Sequence, residues 1–177
     1  MLESRQSLGN LVVPAVRRLL LSDYRSYPNL ELELEEASVI ALCGENGAGK
    51  TNLLEALSLL TAGRGLRRAD FADCARQGGA GGFAVSVELM GPYGQVQLGT
   101  GIDPSAGPGR KFRLNRAPAA SVRPLAEHVR VVWLTPSMDG LFAGSPGERR
   151  RFIDRLVLAV DPEHGARVNA LEKALRN

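Results

Sequence analysis

The stretch Gly44-Glu45-Asn46-Gly47-Ala48-Gly49-Lys50-Thr51 constrains this chain more than any other. It matches glycine, four residues, then Gly-Lys-Ser/Thr, the pattern of a loop that wraps phosphate. Glycines let the backbone curl until successive N–H groups point into one concavity, an anion nest. A helix starting at the end of the loop adds unpaired N–H groups and the positive end of its dipole. The expected ligand is ATP, with Lys50 on its β- and γ-phosphates and the Thr51 hydroxyl on Mg2+. The flanks agree. Residues 38–43 (Ser-Val-Ile-Ala-Leu-Cys) are a short apolar run that predicts a strand buried on both faces. From residue 51 to 61, Leu53, Leu54, Leu57 and Leu60 recur at helical spacing, with Gly63 as a stop. Strand, glycine loop and helix in succession is the context that separates a phosphate loop from a surface turn.

A nucleotide-binding loop does not by itself hydrolyse. Hydrolysis also needs a carboxylate at the end of another apolar strand, to hold the metal and place water. Residues 129–134 form the late apolar run, and Thr135-Pro136 ends it without a carboxylate. No apolar run in the chain closes on Asp-Glu or Asp-Asp. Whether the chain is an enzyme therefore stays open at this level.

Around this centre the pattern predicts an α/β domain. Strands are expected over 17–21 and 30–35, the second alternating Leu with Glu as a strand with one wet face does. Residues 83–90, 95–101 and 110–115 read as an antiparallel meander, and 129–134 as another buried strand. Ser145-Pro146-Gly147-Glu148 carries a cap, a proline suited to the first helical position and the glutamate of a capping box. Ile153, Leu156, Val157 and Val160 share one face of the helix that follows. Asp161-Pro162 repeats the start signal for a last helix carrying Val168, Leu171 and Leu175. Residues 1–14 read as an N-terminal extension, 15–136 as an ATP-binding lobe and 137–177 as the beginning of a helical lobe, truncated.

Charge adds a weaker signal. The formal net charge is +3, and only Lys50, Lys111 and Lys173 of the 22 basic residues are lysines. Arginines cluster at Arg64, Arg67 and Arg68, between 110 and 116, and at Arg149, Arg150 and Arg151, a segregation compatible with nucleic acid. The first and third clusters are candidates for DNA or interface contact, weighed against an ordinary solvated face. Arg110, Lys111, Arg113 and Arg116 read as a wet strand face. His128 and His164 have no ligand pattern, and Trp133 reads as core. Cys43 and Cys74 fit no metal spacing and read as reduced thiols, and no signal peptide or membrane span is visible, so a cytoplasmic location is expected.

Three motifs together resemble the RecF family of bacterial DNA replication and repair proteins. The loop continues into Asn52-Leu53-Leu54-Glu55-Ala56. Asp23-Tyr24-Arg25-Ser26-Tyr27 resembles the aromatic–basic–Ser/Asn–aromatic turn of SMC-like ATPases. Gly144-Ser145-Pro146-Gly147-Glu148-Arg149-Arg150-Arg151-Phe152-Ile153-Asp154 is the most family-specific string. Ser137, where an acidic residue is usual, and Leu141-Phe142, where an aliphatic pair is usual, depart from the pattern. The resemblance covers roughly residues 16–160 and corresponds to the N-terminal half of such a protein. It implies a P-loop NTPase head of the ABC/SMC type, with a mixed sheet and the start of a helical second lobe. It also implies ATP-dependent homodimerisation, weak DNA-dependent ATPase activity, and binding of single-stranded DNA and gapped duplex in recombinational repair and the SOS response. Recombination-mediator proteins are the implied partners, and Arg25 is implied near the nucleotide phosphates. The rivals are a nucleotide-binding module without hydrolysis and another SMC-like or ABC ATPase.

Overall fold

The computed structural model describes residues 15–34, 39–91, 94–161 and 163–175; the expected extension at 1–14 lies outside them. Alternation along the chain builds one six-stranded sheet in the order β2-β1-β3-β4-β5-β6, antiparallel throughout. Its strands are β1 (Ala15–Tyr24), β2 (Tyr27–Glu33), β3 (Phe83–Gly91), β4 (Gly94–Ile102), β5 (Lys111–Leu114) and β6 (Ala117–Ala119). In β3 the expected alternation is borne out: Phe83, Val85, Val87 and Leu89 are all buried, and the residues between them are more exposed. On edge strand β2, Leu30 and Leu32 pack against the core while Glu31 and Glu33 face solvent. There Glu31 pairs with Arg18. Residues 35–38, where that alternation was expected to end and the next strand to start, lie outside the described residues.

Two-residue turns close two of the hairpins: Arg25 (φ 51°) helps join β1 to β2, and Asn115 and Arg116 (φ 49° and 70°) join β5 to β6. Positive φ at both central positions of the second turn is the type I′ geometry whose twist suits a hairpin. The resulting sheet presents Leu19, Leu21, Tyr24, Val87, Leu89 and Leu98 to one core. Helix α1 (Lys50–Ser58) and the residues after it close that core with Leu53, Ala56, Leu59 and Leu60. The helical face differs from the expected one. Leu54 is about half exposed, whereas Glu55 is fully buried.

Neither expected parallel-type strand forms. Residues 39–45 and 129–135 have no regular structure, and Val39, Ile40, Val132 and Leu134 are exposed. A strand's N–H and C=O groups need a neighbouring strand, and neither run pairs with any strand of the described sheet. The sheet is accordingly antiparallel instead of mixed, and Trp133 is only partly covered.

Beyond the sheet come the single-turn α2 (Arg123–Ala126), α3 (Pro146–Val160) and α4 (His164–Leu175). The capping box of α3 is borne out: the Ser145 hydroxyl accepts from the Glu148 amide, and the Ser145 amide donates to the Glu148 carboxylate. Pro162 lies outside the described residues. Neither helix carries a fully buried side chain, and Ile153, Val160, Leu171 and Leu175 remain exposed.

Within the cluster read as a wet strand face, Arg113 and Arg116 are exposed, but Arg110 departs from that expectation. Its guanidinium sits between the Phe71 and Phe112 rings, 5.1 and 4.6 Å from their centroids. It donates to the Thr100 hydroxyl (2.7 Å) and to the Thr61 and Gly63 carbonyls just past α1 (3.3 and 3.0 Å). Burial lowers its pKa to about 10, because no carboxylate offsets the lost hydration. Replacing Arg110 with Ala is expected to cost about 1–3 kcal/mol in urea unfolding, the scale of a charge-assisted hydrogen bond. An unchanged midpoint would show that this tie between sheet and loop is dispensable.

Candidate phosphate loop and its arginine–glutamate support

Residues 44–49 curl because three glycines adopt backbone angles closed to most side chains: Gly44 at φ 150°, Gly47 at 87° and Gly49 at 94°. Gly49 is the N-cap of α1, so no side chain caps the helix, and no acidic residue occupies its first turn. The unpaired N–H groups at this end are left for an anion. The Lys50 ammonium folds back over the loop and donates to the Gly44 and Glu45 carbonyls at 2.6 and 2.7 Å. Its positive charge thus lies over the concavity. Thr51 is exposed at the same end. A nucleotide phosphate fits these residues: the N–H groups and Lys50 supply donors beside the exposed Thr51.

The β1–β2 hairpin packs against the loop through Tyr27. The Tyr27 hydroxyl donates to the Ala48 carbonyl at 3.3 Å. A Cβ added at Gly49 would lie 2.3 Å from that hydroxyl oxygen, whereas one at Gly47 would meet nothing within 4 Å. Gly47→Ala should therefore cost only the left-handed backbone penalty of about 1–2 kcal/mol, and Gly49→Ala clearly more. Thermal melts of the two variants check this, and equal losses would contradict the Tyr27 packing.

Below the loop lies a feature sequence reasoning missed. Glu55, with its side chain 1% exposed, accepts from Arg25 through both oxygens (2.9 and 2.7 Å) and from Arg67 at 2.9 Å. Arg25 also donates to the Asp73 carbonyl at 2.7 Å. All three of its guanidinium nitrogens are thereby engaged, and the bond to Glu55 raises its pKa further. The expectation that Arg25 approaches the phosphates is corrected: its partner is Glu55. Arg67, expected on DNA or nucleotide, instead joins Glu55 to the Asn52 side chain (2.8 Å). The Asn52 amide in turn donates to the Ser26 hydroxyl. Ser58 completes the polar stripe, its hydroxyl accepting from the Leu66 amide at 2.7 Å. The signal was present in Asn52, Glu55 and Ser58, three polar residues spaced by three with only Leu and Ala between them. Beside them Tyr24 and Cys74 are fully buried, and burial raises both their pKa values.

The other candidate cations separate. Arg64 pairs with Asp70 at the surface (2.7 Å). Arg149 donates to the Phe142 and Gly144 carbonyls and braces the turn before α3. Arg150 lies 3.8 Å from Asp154 on the same helix. Arg64, Arg68 and Arg151 all line one cavity, where His164 pairs with Asp154 at 2.9 Å.

A family model described as an AAA domain matches residues 18–90. The DNA replication and repair protein RecF of Mesorhizobium japonicum is 56% identical over 162 residues, 91% of this chain and 42% of that protein. This chain is similar to RecF proteins over nine-tenths of its length. It spans less than half the length of the curated relatives it matches. Among solved structures, the recombination mediator protein RecF-ATPrS in the RecFOR pathway superposes with a TM-score of 0.76 at 20% identity. That match covers 93% of this chain and 43% of that one. A chain from work on ATP-driven dimerization and DNA stimulated activation of SMC ATPases gives 0.63 at 18% identity, covering 80% of this chain and 99% of its own length. The fold is that of RecF and SMC ATPase heads, as the motifs implied.

Proposed function

We propose that this chain is the nucleotide-binding portion of a RecF-type DNA replication and repair protein. The observation that carries this reading is the uncapped N-terminus of α1, set behind three positive-φ glycines with the Lys50 ammonium folded over them. In this reading residues 44–51 cradle the phosphates of ATP, Lys50 neutralises them and Thr51 ligates Mg2+. Residues 15–136 are the ATP-binding lobe and 137–177 open a helical lobe, a division supported by the sheet ending at Ala119 and the two longer helices following Pro146. The names of its RecF relatives, DNA replication and repair proteins, support a role in recombinational repair, and the motif resemblance extends that reading to the SOS response. Single-stranded and gapped duplex DNA are the substrates, a second copy dimerises with the chain on ATP, and recombination mediators act with it. No described helix is long and apolar enough to cross a membrane. The relatives' work on DNA supports a cytoplasmic location.

Calorimetric titration with ATP, with and without Mg2+, tests the reading, and saturable Mg2+-assisted binding is the expected result. Absence of binding by the folded chain would overturn it. Turnover is expected to be negligible for this chain, since residues 129–135 bring no carboxylate to the loop and form no strand.

A further inference from the structure

Arginines gather at a place the glycine loop does not use. A cavity of about 460 Å³ lies between residues 61–68, the segment at 129–133, α3 and the first turn of α4. Arg68, Arg130, Arg151 and Arg155 line it, and none of them forms an ion pair with a described carboxylate. The two acids of the wall are already matched, Asp154 with His164 and Arg150, and Glu163 with Arg123. Arg155 is partly buried and stacks over the Trp133 ring, 4.7 Å from its centroid. Burial and the nearby Arg68 both lower its pKa. Like charges converge here in a concavity large enough for a small ligand, and an aromatic face forms part of the wall. Holding cations together without a counter-charge is costly unless an anion joins them.

We propose that this cavity is a second phosphoryl-anion site and that it seats a backbone phosphate of a nucleic-acid strand. The claim rests on the nucleic-acid part of the reading above and not on its ATP part. Guanidinium forks match phosphate oxygens in pairs. Arg151 and Arg68 line the cavity from two separate elements, α3 and the loop after α1. That loop is the one Arg67 ties to Asn52 and Glu55.

Trp133 is the single tryptophan of the chain and a natural reporter, since it lines the cavity. The 177-residue chain is titrated with a short oligodeoxythymidylate, and separately with inorganic tripolyphosphate, while Trp133 fluorescence is followed. A saturable change is expected with both, tighter for the oligonucleotide. Arg68→Ala and Arg151→Ala are exposed changes and should each weaken it about tenfold or more, the scale of a charge-assisted hydrogen bond. Arg113→Ala removes equal charge elsewhere and should leave it unchanged. Lys50→Ala should also leave it unchanged. Equal weakening by Arg113→Ala, or loss of the signal in Lys50→Ala, would overturn the site. Tripolyphosphate binding as tightly as the oligonucleotide would overturn the strand assignment. A chain that binds ATP but gives no Trp133 response sinks the cavity alone, whereas an oligonucleotide response without ATP binding sinks only the nucleotide reading.

Discussion

Replacing Lys50 with alanine is expected to weaken ATP binding at least about 100-fold while the melting temperature stays nearly constant. The ammonium lies over the glycine concavity, 2.6 and 2.7 Å from the Gly44 and Glu45 carbonyls. In the bound state it would exchange those neutral acceptors for phosphate oxygens. Charge-assisted bonds contribute roughly 1.5–3 kcal/mol each, and a lysine with several donors loses at least two of them. Two such bonds correspond to the 100-fold figure. Stability should hardly move, because the side chain lies at the surface end of α1 and the core residues Leu53, Ala56 and Leu60 are untouched. Titration with a fluorescent ATP analogue, paired with a thermal melt, measures both quantities. Near-normal affinity in the variant would end the assignment of residues 44–51 as the nucleotide loop.

The second large effect concerns stability. Glu55→Ala should cost about 3–5 kcal/mol, the scale of breaking a buried ion pair by removing one partner. Against a total stability of roughly 5–15 kcal/mol, that loss is enough to leave much of the chain unfolded at physiological temperature. Three elements meet at this carboxylate: α1 through Glu55 itself, the β1–β2 turn through Arg25, and the loop after α1 through Arg67. The cost comes mainly from Arg25, whose side chain is only 19% exposed and would lose its counter-charge. Arg67 is 39% exposed and can turn to water. Urea unfolding of Glu55→Ala beside the double variant Glu55→Leu, Arg25→Met separates these contributions. The double variant should recover much of the loss, since apolar replacement of a whole buried pair is often neutral. A single-variant cost below about 1 kcal/mol would mean that the carboxylate is not buried as the structure has it.

Some features were legible because they are decided within a few residues. The left-handed glycines of the loop, the Ser145–Glu148 capping box and the alternation of Phe83, Val85, Val87 and Leu89 all follow from local geometry and a period of two. Others were not legible. Residues 39–43 and 129–134 have the composition of buried strands, yet they stand unpaired, with Val39, Ile40, Val132 and Leu134 exposed. Composition describes how well a segment suits burial. A ladder exists only where a second strand supplies the hydrogen-bonding partners.

The same division runs through the candidate site. By itself the amino-acid sequence determined the phosphate loop, because glycine spacing, a following helix and a lysine at its first position act over a span of eight residues. Tertiary structure alone decided what the arginines do. Arg25, Arg67 and Arg110 look alike in sequence, yet Arg25 and Arg67 hold Glu55 and Arg110 is sandwiched between two phenylalanine rings. A guanidinium's role depends on which acceptors and rings the fold brings within about 3–6 Å of it. Apart from Phe112 and Thr100, those partners lie 12 to 49 positions away along the chain, a distance over which sequence pattern carries no geometry.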